Sequence, residues 1–184
     1  MKRGKSLMVK KIIEQKAEDT LSKVNDKGEA AIDIIGVARN LGFIVGNAEL
    51  SDDEDGFIIV DEGKEQILGQ PTDKLIGVRA DQSIEWKRFV IAHEIGHYVL
   101  HYDKDADHGM YAHREHKKGK DDIENEADYF AANLLMPANR FKQNYEELKT
   151  DSLTFDEKIL ILAKRFCVTE IMTRRRCEEL GIIE

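Results

Sequence analysis

Two histidines four residues apart, with a glutamate beside the first, mark the chemistry this chain could do: His93-Glu94-Ile95-Gly96-His97. On a helix, positions i and i+4 share a face one turn apart. Both imidazoles then reach one metal ion, and Glu94 projects beside them toward a metal-bound water. A catalytic zinc site takes three protein ligands and keeps a fourth position for water. The third donor must come from elsewhere, and Glu124-Asn125-Glu126-Ala127-Asp128 offers it. Glu124 and Asp128 are again i and i+4. With Glu124 as the third ligand, Asp128 lies one turn on and can accept from the free N–H of a ligating histidine, which fixes that ring's tautomer and orientation. Glu126 is the rival ligand. It points about 200° around the helix from Glu124, so the two cannot face one ion. The plainer alternatives are a surface helix with two solvated histidines and an acidic first turn that suits the helix dipole.

Two helices must carry these donors. Ser83 can cap the first, and Trp86, Phe89, Val90 and Ile95 give it apolar spacing. Gly96 falls inside it, at a cost of about 1 kcal/mol relative to alanine. A glycine there would let another backbone approach the metal. The second helix is expected from about Asp121 to Met136, with Asp121 or Asp122 as N-cap and Pro137 unable to continue it.

The run Arg88-Phe89-Val90-Ile91-Ala92-His93-Glu94-Ile95-Gly96-His97 resembles the signature of the ImmA/IrrE-type zinc metallo-endopeptidases. The run from Glu124 through Asn125-Glu126-Ala127-Asp128 to Met136-Pro137 resembles their second motif, and weaker similarity extends from about Ile32 to the end. The resemblance implies one Zn²⁺ per chain held by His93, His97 and Glu124, with Glu94 as catalytic base. It implies a protein substrate, a helix-turn-helix repressor encoded on a phage or mobile element, and a role in transcription regulation. It also implies that an extended substrate adds to a sheet edge beside the active-site helix. Two features depart from the family pattern: a long stretch between the motifs, and Asp128 where asparagine is frequent.

The chain has 184 residues, 35% of them charged and 41% hydrophobic, which suits a globular protein with a real core. Its net charge of −8 argues against direct DNA binding and is compatible with a basic protein partner. No stretch approaches the length of a membrane span. Cys167 and Cys177 stand apart from the histidines, and the basic start of the chain lacks a signal-peptide core. Both points lead to an expected cytoplasmic location with free thiols.

Along the chain, residues 8 to 24 read as a charged helix with Val9, Ile12, Ile13, Ala17 and Leu21 on one side. Ala30 to Leu41 reads as a second helix, ended by Gly42. Phe43 to Val45 reads as a short strand and Ser51 to Asp55 as an acidic loop. Gly56 to Val60, Gln66 to Leu68 and Leu75 to Arg79 are expected strands, with a turn at Pro71-Thr72-Asp73. Leu75 to Arg79, just before the active-site helix, is the expected substrate edge. The order of helices, strands, then helices gives an α+β fold, with a small mixed or antiparallel sheet against the two metal-binding helices. The polar stretch from Tyr102 to Asp122 reads as a solvated insertion. Tyr111, His113 or His116 within it could line the cleft and donate to an oxyanion. His101, one turn beyond His97, is either an extra ligand or a cap of its helix.

Phe155 to Phe166 and Thr169 to Leu180 form a C-terminal helical pair, loosely of helix-turn-helix kind, with a break at Cys167-Val168. Arg174, Arg175 and Arg176 there read as a solvated face. The expected organisation is a zincin-like unit over residues 1–150 and this pair over 151–184. The leading functional expectation is a zinc-dependent endopeptidase. The alternative is a non-catalytic zinc-containing module that binds a repressor, an antitoxin or DNA. Glu94 counts against it, since a structural site has no use for a general base.

Overall fold

The computed structural model describes residues 2–24, 28–60, 66–67, 70–71, 74–102, 110–115, 122–149 and 152–182, with backbone alone for 2–6 and for the strands at 66–67, 70–71 and 110–115. Helix α1 spans Lys2–Ser22. It buries Ile13, Ala17 and Thr20, a stripe at helical spacing. Ile12 falls off that stripe and is 49% exposed, against the expectation that it would share it.

Helix α2 is shorter than expected and spans Ile34–Asn40. It starts at Asp33, whose side chain accepts from the Gly36 N–H; the preceding residues form no helical turn. Gly42 follows it with φ +90°, a conformation that favours glycine and turns the chain into β1 (Ile44–Ala48).

The remaining strands are β2 (Glu54–Val60), the two-residue pair β3 (Gln66–Ile67) and β4 (Gln70–Pro71), β5 (Lys74–Arg79) and β6 (Met110–Glu115). The main sheet runs in the order β1-β5-β2-β6. Strand β5 is parallel to β1 and antiparallel to β2, and β2 is antiparallel to β6. The fold is therefore α+β with a mixed sheet, as the element order implies.

Two strand expectations need correction. Leu75 to Arg79 is not an edge: β5 is hydrogen-bonded on both sides, and Leu75, Ile76, Gly77 and Val78 are all buried. An apolar run without polar alternation belongs to an interior strand. The stretch between the metal-binding helices is also not simply a solvated loop, because it supplies β6, an edge of the main sheet. The Pro71-Thr72-Asp73 turn lies largely outside the described residues, and Pro71 itself stands in β4.

The acidic loop ends sooner than expected. Glu54 and Asp55 already belong to β2, and Asp55 is 1% exposed, accepting from the Gln82 amide. The β2–β6 register shifts between Glu54 and Phe57, a bulge at Asp55-Gly56.

Helix α3 (Ile84–His101) lies against the sheet and α4 (Asp122–Leu135) against α3. Helices α5 (Ala138–Glu146), α6 (Phe155–Phe166) and α7 (Glu170–Glu179) complete the chain. One apolar cluster joins Ile58 and Ile76 of the sheet, Val90 and Ile95 of α3, Phe130 and Leu134 of α4, and Phe166 of α6. Each such side chain contributes about 1.5–3 kcal/mol by leaving water.

The C-terminal helices form as the sequence indicates. Thr154 and Glu157 make a reciprocal capping box on α6, and Thr169 caps α7. Cys167, with φ +53°, makes the break between them. The expectation that Arg174–Arg176 is a solvated face fails at Arg176, which is 1% exposed. Its guanidinium donates to Met136 O at 3.0 Å, Asn133 Oδ1 at 2.7 Å and Glu179 Oε2 at 2.9 Å. Its burial is tolerable because its donors are matched.

Candidate metal centre

Helix α3 begins at Ser83, whose hydroxyl accepts from the Trp86 N–H at 3.2 Å. Its first turns are held by Arg88, which donates to Ile32 O at 2.7 Å and Cys167 O at 3.0 Å. Every residue from Phe89 to His97 is buried, so the helix runs through the core rather than over it. That placement removes the reading of two solvated histidines: His93 is 0% and His97 6% exposed.

Gly96 decides how close the second helix comes. A Cβ there would lie 3.2 Å from Ala127 Cα, from Ala127 O and from Phe130 Cδ1. The glycine thus admits the backbone of α4, not a backbone at the metal itself. The close approach carries Glu124, one turn before Ala127, onto the histidines.

The two Nε2 atoms lie 2.9 Å apart. Glu124 Oε2 is 3.3 Å from His93 Nε2, and Glu124 Oε1 is 3.2 Å from His97 Nε2. These separations fit one small ion, since donors about 2.0–2.1 Å from a tetrahedral centre stand about 3.3 Å apart. Two imidazoles and a carboxylate are also a donor set that zinc accepts. The side chains of His93, His97 and Glu124 are the one group of three or more such donors that the described residues bring within 4.8 Å of one another.

On the far side of the ring, His93 Nδ1 stands 2.9 Å from Asp128 Oδ1. An ionised carboxylate only accepts, so the His93 proton sits on Nδ1 and the Nε2 lone pair points at the shared centre. The imidazoles it faces, His93 first and then His97, hold the Glu124 carboxyl well below the usual carboxylate range, against the opposing effect of burial.

Glu94 is 1% exposed. The bulged segment of β2 lies alongside it: a Cβ on Gly56 would collide with Val90 and reach 3.8 Å from Glu94 Oε1. The sequence reading missed this, having placed Asp55 in a loop. A glycine in a strand next to an acidic residue was the available signal.

Glu126, the rival ligand, faces away from the centre and toward His101, 4.0 Å from its Nε2. His101 is neither a third ligand nor a simple helix cap, because the Ile123 backbone of α4 hydrogen-bonds its ring. Burial, then the His97 ring, lower its pKa. Tyr111 and His113 stand on β6, where the backbone alone is described, and His116 lies outside the described residues.

The rings of Trp86, Phe89, His93, His97 and His101 follow one another along α3, with centroids 5.5, 6.3, 4.6 and 5.6 Å apart. The row passes from an apolar wall to the donors and then to His101.

Comparison with known families places this geometry. The family described as Peptidase_M78, IrrE N-terminal-like domain, matches residues 51–178. The chain belongs to the Peptidase_M78 family. The match starts between β1 and β2 and runs into α7, so it takes in strands β2 to β6, both donor helices and most of the C-terminal pair. Membership of Peptidase_M78 supports a metallopeptidase-type fold with a metal ion at the centre. A comparison with curated proteins finds no match for the chain. Among the described residues no helix is long and apolar enough to cross a membrane.

Proposed function

We propose that this Peptidase_M78 member is a zinc-dependent endopeptidase of the cytoplasm. Its proposed substrate is a regulatory protein, a helix-turn-helix repressor of a phage or mobile element. The convergence of His93 Nε2, His97 Nε2 and the Glu124 carboxylate, with Glu94 buried on the adjoining turn, carries this reading.

His93, His97 and Glu124 would hold the metal. Zinc in such a site supplies a water acidified toward a pKa of about 7 and polarises the scissile carbonyl. Glu94 acts as general base, accepting the proton of the attacking water and returning it to the leaving amine. Its burial between α3 and the β2 bulge keeps the carboxylate in one place. Asp128 orients His93 through Nδ1–H and takes no proton itself.

With β5 in the sheet interior, an extended substrate would add to an exposed strand, and β6 is the edge next to β2 and so nearest Glu94. Main-chain pairing on such an edge gives affinity with little sequence demand, so selectivity would come from side-chain pockets and the substrate's own fold.

The test uses the full chain with purified candidate repressors. Wild type should carry about one zinc and cleave its substrate; His93→Ala should lose the metal. Glu94→Gln should keep the zinc and lose cleavage by about 100-fold or more, the contribution of a general base. Normal biological output from a Glu94→Gln protein that no longer cleaves would reject the peptidase reading and favour a binding module.

A further inference from the structure

His101 of α3 and Glu126 of α4 are titratable side chains that the metal centre does not use and that face each other. They flank it on the seam between α3 and α4, His101 one turn beyond His97. The His101 ring is bonded by the Ile123 backbone, while its Nε2 is closed off from solvent and has no hydrogen-bond partner among the described residues. The bonded nitrogen is therefore Nδ1, and the bond to Ile123 is one that favours a proton on the ring. An N–H donating to the carbonyl leaves Nε2 in neutral histidine as a lone pair.

That lone pair faces Glu126 Oε2 across 4.0 Å. Two acceptors facing each other repel unless something positive stands between them. Donors about 2.0–2.1 Å from a tetrahedral zinc stand about 3.3 Å apart, so the pair closes on one ion when the partly exposed Glu126 carboxylate moves in by about 0.7 Å. Imidazole plus carboxylate is a pair that zinc and its neighbours in the first transition row accept. Glu126 keeps 34% of its side-chain surface exposed, which leaves room for water to complete the coordination.

We propose that His101 Nε2 and the Glu126 carboxylate form a second, weaker divalent-cation site beside the metal centre, with zinc as its natural class of occupant. Two features keep it weak. It has two protein donors rather than three, and the Lys16 ammonium, held on Val99 O at 3.0 Å, adds positive charge nearby. The proposal is independent of the peptidase reading, since it needs neither Glu94 nor a substrate.

The experiment is a Zn²⁺ titration of metal-stripped full-length protein against a chromophoric chelator. Wild type should bind two equivalents, the second on the order of 100-fold more weakly for want of a third protein donor. His101→Gln, which keeps an amide donor for the Ile123 carbonyl, should lose the weak equivalent and keep the tight one. Glu126→Gln, at a half-exposed position, should do the same. His93→Ala should lose the tight equivalent and keep the weak one. A single equivalent in wild type would overturn the proposal. So would a weak equivalent that survives both glutamine substitutions, which would place it on other histidines, or loss of the tight equivalent in Glu126→Gln. Absence of the tight equivalent from wild type would instead strike at the metal centre.

Discussion

Gly96 of α3 and Ala127 of α4 meet so closely that a methyl group on the glycine would stand 3.2 Å from both the Cα and the carbonyl oxygen of the alanine. The contact sets the distance between the helix that carries His93 and His97 and the helix that carries Glu124. Gly96→Ala gains about 1 kcal/mol of helix propensity but overfills a contact made largely of backbone, at a cost of about 1–3 kcal/mol. The expected outcome is a modest loss of thermal stability and a larger loss of zinc affinity, because α4 must move off the histidines. Chelator competition and thermal unfolding, measured together, check this; unchanged zinc affinity would show that Gly96 does not set the site.

Asp128 acts on the metal through His93. Asp128→Ala should weaken zinc binding by about 10–100-fold, the usual effect of removing such a partner. Asp128→Asn keeps an acceptor without the charge and should fall between wild type and Asp128→Ala. Equal affinity in all three proteins would mean that the Nδ1 contact has no bearing on the ion.

Arg176 should matter for stability far more than its neighbour. Arg176→Met strips donors from Met136 O and Asn133 Oδ1 and should cost about 3 kcal/mol. Lysine should not rescue it, since one ammonium cannot reproduce the planar fork. Arg175→Ala, on the exposed side of α7, should stay within about 0.5 kcal/mol of wild type. Urea unfolding curves of the three variants decide the matter.

The alkaline limb of stability should report on Tyr129. Burial first, and then its hydrogen bond to Glu14, push its pKa up from 10.0 to about 12. The folded state thus holds the proton more tightly than the unfolded chain. The resulting stabilisation is full below the ordinary tyrosine value and is lost as pH rises through about 12. Ultraviolet titration should find one of the five tyrosines ionising last, and Tyr129→Phe should remove that step. A variant that still shows the late step would assign it to another tyrosine.

Much of the metal centre could be read in the sequence because helical spacing is rigid. Four residues make one turn, so His93 with His97, and Glu124 with Asp128, fall on shared faces whatever surrounds them. The caps at Ser83 and Thr169 were equally legible, since a side-chain oxygen before an apolar run satisfies an otherwise unpaired N–H. Sheet order was not. Nothing local to Leu75–Arg79 states which strands will flank it, and pairing between β1 and β5 joins segments separated by β2, β3 and β4 rather than by a turn. Strand β6 was hidden for another reason, its polar residues giving no alternation to detect. Arg176 was misread because a charged triplet looks solvated until a partner helix supplies acceptors.

Each donor helix is fastened at the end remote from the ion by an arginine reaching main-chain oxygen: Arg88 on α3 to Cys167, and Met136, just past α4, by Arg176. Both fastenings depend on the last thirty or so positions of the chain. A shortened piece ending at residue 150 would retain every donor atom yet lose the two braces that keep those helices in step. Anyone trimming this protein for expression or for crystals should therefore expect poor metal retention without a single ligand having been touched.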